Sequence, residues 1–161
     1  MADFSISELS AGSGWMGIFP LPGRTGSYSQ DMRQIHQWRP DLVLTMTEQV
    51  ELERVGAASI AVDLDTYDCA WLHLPVADFG VPEGATLAAW PEAAAQVRRL
   101  LAAGGRVLVH CYGGCGRSGM AILRILVEMG EDPEMALNRL RQVRPCAIET
   151  DSQMIWAKGS L

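Results

Sequence analysis

Read for its alternation of apolar and polar positions, the chain divides into short β-rich runs separated by longer helical ones. Trp15-Met16-Gly17-Ile18-Phe19 predicts a strand, stopped by Pro20, Pro22 and Gly23. Residues 29–38 have helical spacing, and Pro40 blocks continuation. Residues 41–46 predict a buried strand; Thr47, with Val50 and Glu51 behind it, predicts the N-cap of a helix reaching Gly56. Residues 57–69 fit helix and loop alike. A further strand is expected over residues 70–74 and a loop over 75–84. An Ala/Leu-rich helix follows over 86–103, with Pro91 kinking its first turns and Gly104-Gly105 ending it. Arg106-Val107-Leu108-Val109-His110 is the strongest strand signal. Helices are predicted at 118–129, at 133–143 with Pro133 in the first turn, and at 150–158.

Strands alternating with helices, the central ones apolar on both faces, predict one α/β domain over residues 1–161. Its sheet should be mainly parallel, with four or five strands and helices on both sides. Composition narrows the function. Thirteen Lys+Arg against nineteen Asp+Glu give a net charge of −6, which disfavours bulk nucleic acid and anionic membranes as partners. No apolar run approaches the roughly 20 residues of a membrane helix. Met1-Ala2-Asp3-Phe4 lacks the basic start of a signal peptide. Four cysteines without such a signal imply a reducing, cytoplasmic setting, and the absence of a C-x-x-C pair argues against zinc.

The chemistry concentrates in His110-Cys111-Tyr112-Gly113-Gly114-Cys115-Gly116-Arg117-Ser118-Gly119. This segment lies between the strongest strand and a helix, at the strand end where open α/β sheets bind ligands. Its glycines let the backbone turn N–H groups inward, so Tyr112, Gly113, Gly114, Cys115 and Gly116, with the helix start behind them, predict an anion cradle. Arg117 closes the cradle with a fork suited to two phosphate oxygens. Donors that hold an oxyanion also favour a thiolate, which makes Cys111 a candidate nucleophile for phosphoryl transfer. The Ser118 hydroxyl can donate to that sulfur and ease its departure in a second step. Such chemistry calls for no metal or organic cofactor. The competing explanation, a Gly-rich turn around an inert cysteine, leaves the Arg-Ser pair unaccounted for.

Several residues admit two readings. Loop 75–82 offers one acid, Asp78, 33 residues before Cys111, and Asp also forms turns by bonding its own backbone. Thr150 and Gln153 have the spacing of a capping box. His110 reads as ordering the loop by hydrogen bonds rather than titrating. His73 reads as a satisfied histidine beneath the acid loop, and His36 as a surface residue. Trp38, Trp71, Trp90 and Trp156 read as packing.

The string His-Cys-x-x-Gly-x-x-Arg-Ser resembles the signature of the cysteine-dependent protein tyrosine and dual-specificity phosphatases. The fuller string is most similar to the branch of the cyclin-dependent kinase-associated phosphatase. The likeness extends over Leu21-Pro22-Gly23, His73-Leu74-Pro75-Val76-Ala77-Asp78 and Ala147-Ile148-Glu149-Thr150. It implies the fold of those enzymes, a phosphoprotein substrate, Asp78 as the general acid and base, and Gln153 at the position that orients the attacking water. That branch has leucine where Cys115 stands. Cys115 fits a small apolar filler; alternatively it or Cys69 resolves an oxidised Cys111 as a disulfide.

These residues predict a monomeric enzyme hydrolysing phosphotyrosine, with phosphoserine and phosphothreonine as further substrates, through a phosphocysteine. A lipid or small-molecule phosphatase would carry basic residues among positions 112–116, and there are none before Arg117. A phosphate-binding pseudo-enzyme has no need of an intact Cys111, Arg117 and acid. A rhodanese-type sulfurtransferase needs a shorter loop.

Overall fold

A computed structural model of the chain describes residues 3–159. Among them the elements run β1 (Ser7–Ala11), β2 (Gly14–Phe19), α1 (Tyr28–Trp38), β3 (Leu42–Thr45), α2 (Gln49–Arg54), α3 (Ile60–Asp65), β4 (Ala70–His73), α4 (Gly84–Ala102), β5 (Arg106–His110), α5 (Gly116–Glu128), α6 (Pro133–Val143) and α7 (Asp151–Ala157). They form one α/β domain with a five-stranded sheet of order β1-β2-β5-β3-β4. Strands β2, β5, β3 and β4 are mutually parallel, and β1 closes one edge as the antiparallel arm of a hairpin.

The predicted architecture holds, with corrections at particular elements. Strand β1 has no counterpart in the expected elements. Its sequence, Ser-Glu-Leu-Ser-Ala, has little β-propensity, and only Leu9 and Ala11 are buried. Pairing with the apolar β2 supplies what propensity does not. The ambiguous stretch 57–69 contains the short helix α3. Helix α2 is capped at Glu48 rather than Thr47, which is fully buried one residue earlier. Helix α5 begins at Gly116, two residues before the predicted start, so Arg117 sits in its first turn. Pro91 lies within α4, and the helix continues through it. The carbonyl that Pro91 leaves unbonded belongs to Leu87, which is exposed, so water can satisfy it.

Side-chain alternation sorts the core into two layers. Met16, Ile18, Leu42, Leu44, Val107 and Val109 face α4–α7. Phe19, Val43 and Leu108 face α1–α3. Helix α5 is the hub of the first layer: Met120, Ala121, Ile122, Leu123, Ile125 and Leu126 are all fully buried. Each large apolar side chain removed from water in this way contributes about 1.5–3 kcal/mol. Among the described residues no helix is long and apolar enough to cross a membrane.

What matters for function is the register. Phe19 pairs with His110, His110 with Thr45, and Thr45 with His73, so the four parallel strands end level with one another. The loops after β2, β3, β4 and β5 therefore leave the sheet along one edge, and β5 is central among them. This register needs a close approach at the opposite end, where a Cβ on Gly14 would stand 2.1 Å from the Gly105 carbonyl oxygen. Gly14→Ala is expected to destabilise the fold by about 1–3 kcal/mol. Urea unfolding checks this, and an unchanged midpoint would contradict the account of the register.

Candidate active site

The loop after β5 is shaped by what happens to its carbonyls. The Cys111 carbonyl accepts from His110 Nδ1 (3.0 Å), that of Tyr112 from the Leu21 amide (3.0 Å), and that of Gly113 from Arg144 Nη2 (3.4 Å). Arg144 Nε donates to the Gly114 carbonyl (2.9 Å), and the Cys115 carbonyl receives the amides of Ile148 (3.1 Å) and Gly119 (2.9 Å). A trans peptide sets each C=O opposite the N–H of the next residue, and the described chain contains no cis bond. Five carbonyls held outward therefore turn the amides of Tyr112 through Gly116 to the other side. Among the described residues none of those five amides donates to a protein acceptor. Together with the start of α5 they form an anion nest. The bend needs Gly114, which has φ 70°; a Cβ there would lie 2.5 Å from Arg144 Nη2 and 2.6 Å from the Phe19 carbonyl carbon.

Cys111 is buried at the base of this nest, with Sγ 3.2 Å from the Ser118 hydroxyl. Arg117 is 1% exposed, the largest fully buried side chain. Its fork does not face outward as the sequence suggests. Nη1 and Nη2 donate to Glu51 Oε2 (2.7 Å) and Oε1 (2.8 Å), and Nη1 also donates to the Val76 carbonyl (2.9 Å). The Nε–H has no partner, and Nη2 lies 3.4 Å from Asp78 Oδ1. The edge left for an oxyanion is therefore Nε with the outer Nη2 hydrogen. A buried donor without a partner costs about 1–3 kcal/mol, and a bound phosphate oxygen would recover it. Burial works to raise the Glu51 carboxyl, but the Arg117 hydrogen bonds and charge outweigh it and hold Glu51 below the usual carboxylate range. Burial likewise opposes the Arg117 charge, and the Glu51 hydrogen bonds, with Cys111, Glu51 and Asp78 close by, together more than offset it.

Asp78 is exposed on the loop after β4 and accepts the Phe79 amide at Oδ1 (3.0 Å). It is thus a turn-forming Asp and at the same time a carboxylate beside Arg117. Gln153 forms the capping box: its amide donates to Thr150 Oγ1 (3.1 Å), and its Oε1 accepts the amides of Thr150 (3.3 Å) and Glu149 (3.0 Å). Its Nε2 donates to the Gly80 carbonyl (3.1 Å), tying the Asp78 loop to α7. A cleft of about 360 Å³ opens above Cys111, lined by Arg24, Asp78, Phe79, Tyr112, Gly113, Cys115 and Glu149. Arg24 lies 5.0 Å over the Tyr112 ring.

His110 is fully buried, and its partners fix its tautomer. A carbonyl only accepts, so Nδ1 carries the proton toward Cys111 O, and Nε2 accepts from Thr45 Oγ1 (2.8 Å), which itself accepts from Trp71 Nε1 (2.7 Å). His73 bonds the Thr47 carbonyl through Nε2 (2.7 Å), and His36 stacks on Tyr67 at the surface.

The cysteines depart from expectation. Cys115 is neither an apolar filler nor a partner for Cys111: it is disulfide-bonded to Cys146, with Cα atoms 5.2 Å apart. Cys69 and Cys111 are free and buried, and burial pushes the Cys69 thiol up to about 12. The bond joins two segments 31 residues apart, a pairing the sequence reading did not include. Closing a loop of that length removes roughly 3–4 kcal/mol of entropy from the unfolded chain. Sequence reasoning also missed Glu51, Arg144 and Thr45. Each reaches the loop from another element, and no local motif marks it.

With the geometry in place, comparison with known proteins places the chain. Residues 19–131 match the family model described as "Polymorphic toxin system, DSP-PTPase phosphatase". The chain belongs to the dual-specificity phosphatase family. It is 34% identical over 160 residues to human cyclin-dependent kinase inhibitor 3, covering 92% of this chain and 72% of the relative. The mouse protein of the same name is 26% identical over 148 residues, covering 88% and 69%. Among solved structures the fold is similar to kinase associated phosphatase carrying a serine in place of its catalytic site cysteine. That match has a TM-score of 0.83 at 24% identity, covering 98% of this chain and 93% of the other. It is also similar to PTPMT1 in complex with PI(5)P, with a TM-score of 0.75 at 21% identity and coverage of 94% and 92%.

Burial holds the His110 imidazole neutral, its pKa brought down from 6.5 to about 4. The unfolded chain takes up this proton near pH 6.5 and the folded one only near 4. Stability is therefore full above about 6.5 and declines by up to roughly 3 kcal/mol as pH falls toward 4. Urea midpoints over that range should slope less steeply for His110→Gln than for the parent; equal slopes would contradict the assignment.

Proposed function

We propose that this chain is a protein phosphatase that hydrolyses phosphotyrosine by preference, through a phosphocysteine. The observation that carries the reading is the Cys111 sulfur, 3.2 Å from Ser118 Oγ, at the base of a loop whose amides from Tyr112 to Gly116 are turned away from their pinned carbonyls. The phosphate oxygens of a substrate take those amides and the free Arg117 edge. The Cys111 thiolate then attacks phosphorus in line: a P–S bond forms, the P–O bond to the substrate breaks, and protonated Asp78 gives its proton to the departing oxygen. In the second step Asp78, now a carboxylate, takes a proton from water as the water oxygen bonds to phosphorus. The P–S bond breaks, inorganic phosphate leaves, and the Ser118 hydroxyl donates to the returning thiolate.

Gln153 supports this chemistry chiefly by holding the Gly80 carbonyl, and with it the Asp78 loop, against the phosphate loop. One Nε2 proton is left for the attacking water. His110 acts through hydrogen bonds, not by titrating. The preference for an aryl phosphate follows from depth and rim. Cys111 is 3% exposed, so the phosphate must descend on a long group, and exposed Phe79 and Tyr112 offer aromatic faces for a ring above it. With no cation at positions 112–116, the loop suits one phosphate rather than several.

Cys111→Ser is expected to abolish turnover of p-nitrophenyl phosphate while retaining phosphopeptide binding. Asp78→Asn should lower kcat by about 10²–10⁴-fold with little change in KM, and trap phosphotyrosine proteins. Wild-type rates in Cys111→Ser would rule the reading out.

A further inference from the structure

The Cys115–Cys146 disulfide is not needed for the chemistry above, and it joins the phosphate loop to the segment between α6 and α7. That segment already grips the loop from behind. Arg144 holds the Gly113 and Gly114 carbonyls, and Ile148 donates to the carbonyl of Cys115 itself. The carbonyls of Gly113 and Gly114 thus depend on Arg144 for their direction, and with them the amides of Gly114 and Cys115, while the Cys115 carbonyl is shared between Ile148 and the Gly119 amide of α5. Part of this grip is strained: Arg144 also reaches the exposed Ser5 and the neighbouring Ser7, and Ile148 sits at φ 70°, a conformation a β-branched residue seldom adopts, so a covalent tie adds to what the hydrogen bonds hold.

We propose that the disulfide is a positioning tie for phosphate binding: by fixing residue 115 to residue 146 it keeps the amides of residues 114–116 turned into the cleft. Cys115 and Cys146 are therefore positioning residues, acting through the loop amides. The inference rests on the reading of this loop as the phosphate site. It also makes phosphate affinity depend on a redox state separate from that of the nucleophile. Opening the tie takes a dithiol reductant. One thiolate attacks a sulfur of the pair to form a mixed disulfide, and the second thiol displaces it. The protein gains two electrons and two protons as two thiols, and the reductant becomes a disulfide. Cys146 is exposed and Cys115 partly so, which leaves the bond open to attack. Cys111, three per cent exposed beneath the loop, is shielded in comparison.

The test uses the full chain carrying Cys111→Ser in every arm, so that the nucleophile contributes no redox chemistry. Inorganic phosphate is titrated well below the unfolding temperature while the 15N-labelled amides of Gly113, Gly114 and Gly116 are followed, before and after treatment with dithiothreitol. Reduction is expected to weaken phosphate binding about tenfold or more, as a small displacement of preorganised donors does. Adding Cys146→Ser should reproduce the weakened state and remove the response to dithiothreitol. Adding Cys69→Ser, a buried thiol packed on the opposite layer, should leave the response intact. A disulfide that only stabilises the fold would lower the unfolding temperature and leave phosphate affinity unchanged; that result overturns the proposal. So does finding three free thiols in the untreated Cys111→Ser protein. Absence of phosphate binding in the oxidised and reduced forms alike would overturn the phosphate-site reading as well, whereas equal, measurable binding in both would remove the tie alone.

Discussion

Five consecutive carbonyls, from Cys111 to Cys115, are each held on the outer side of one loop, and the planarity of the peptide does the rest. Every amide that faces the cleft does so because a carbonyl behind it is occupied. The holders come from all around the sheet edge: His110 from β5, Leu21 from the loop after β2, Arg144 from the end of α6, Ile148 from the approach to α7. Level strand ends bring these groups within reach of one another. In this sense the sheet register is the first requirement of the site, and Gly14, at the far end of the sheet, contributes to it.

The electrostatics follow the same logic. A buried guanidinium is costly unless paired, and Glu51 pairs it on two bonds. The pair nearly cancels as a charge but fixes Arg117 in direction, leaving one edge unbonded beside the nest. Positive potential in the cleft then comes from amide dipoles and that edge. On the proposed reading an acidic chain binds phosphate there because the field is local.

Much of this could be read along the chain, for a physical reason. Strand β5, the glycine-rich turn and the start of α5 are contiguous, and hydrophobic run, turn and helix stop leave local marks. The Thr150–Gln153 capping box was legible for the same reason. Strand β1 was not, because it owes its existence to the β2 partner rather than to its own residues. Glu51 stands 66 residues from Arg117 and looks like any acid in a surface helix. Arg144 and Cys146 reach back 30 residues or more to Gly114 and Cys115, and only a folded chain shows their partners. Among the four cysteines the sequence singles out Cys111 and offers Cys115 or Cys69 as its partner, while the fold pairs Cys115 with Cys146 and leaves Cys69 a buried bystander.

The account stands on Cys111 being the group that receives the phosphoryl. The most direct measurement is rapid acid quenching of the enzyme during turnover of a phosphotyrosine peptide, followed by mass spectrometry of the peptide containing residues 107–117. The expected result is the added mass of one phosphoryl group on Cys111 in the parent enzyme, with less of it in Asp78→Asn protein, whose first step is slowed. Turnover at full rate with no phosphoryl adduct in either form, and release of phosphate undiminished by alkylation of Cys111, would contradict it.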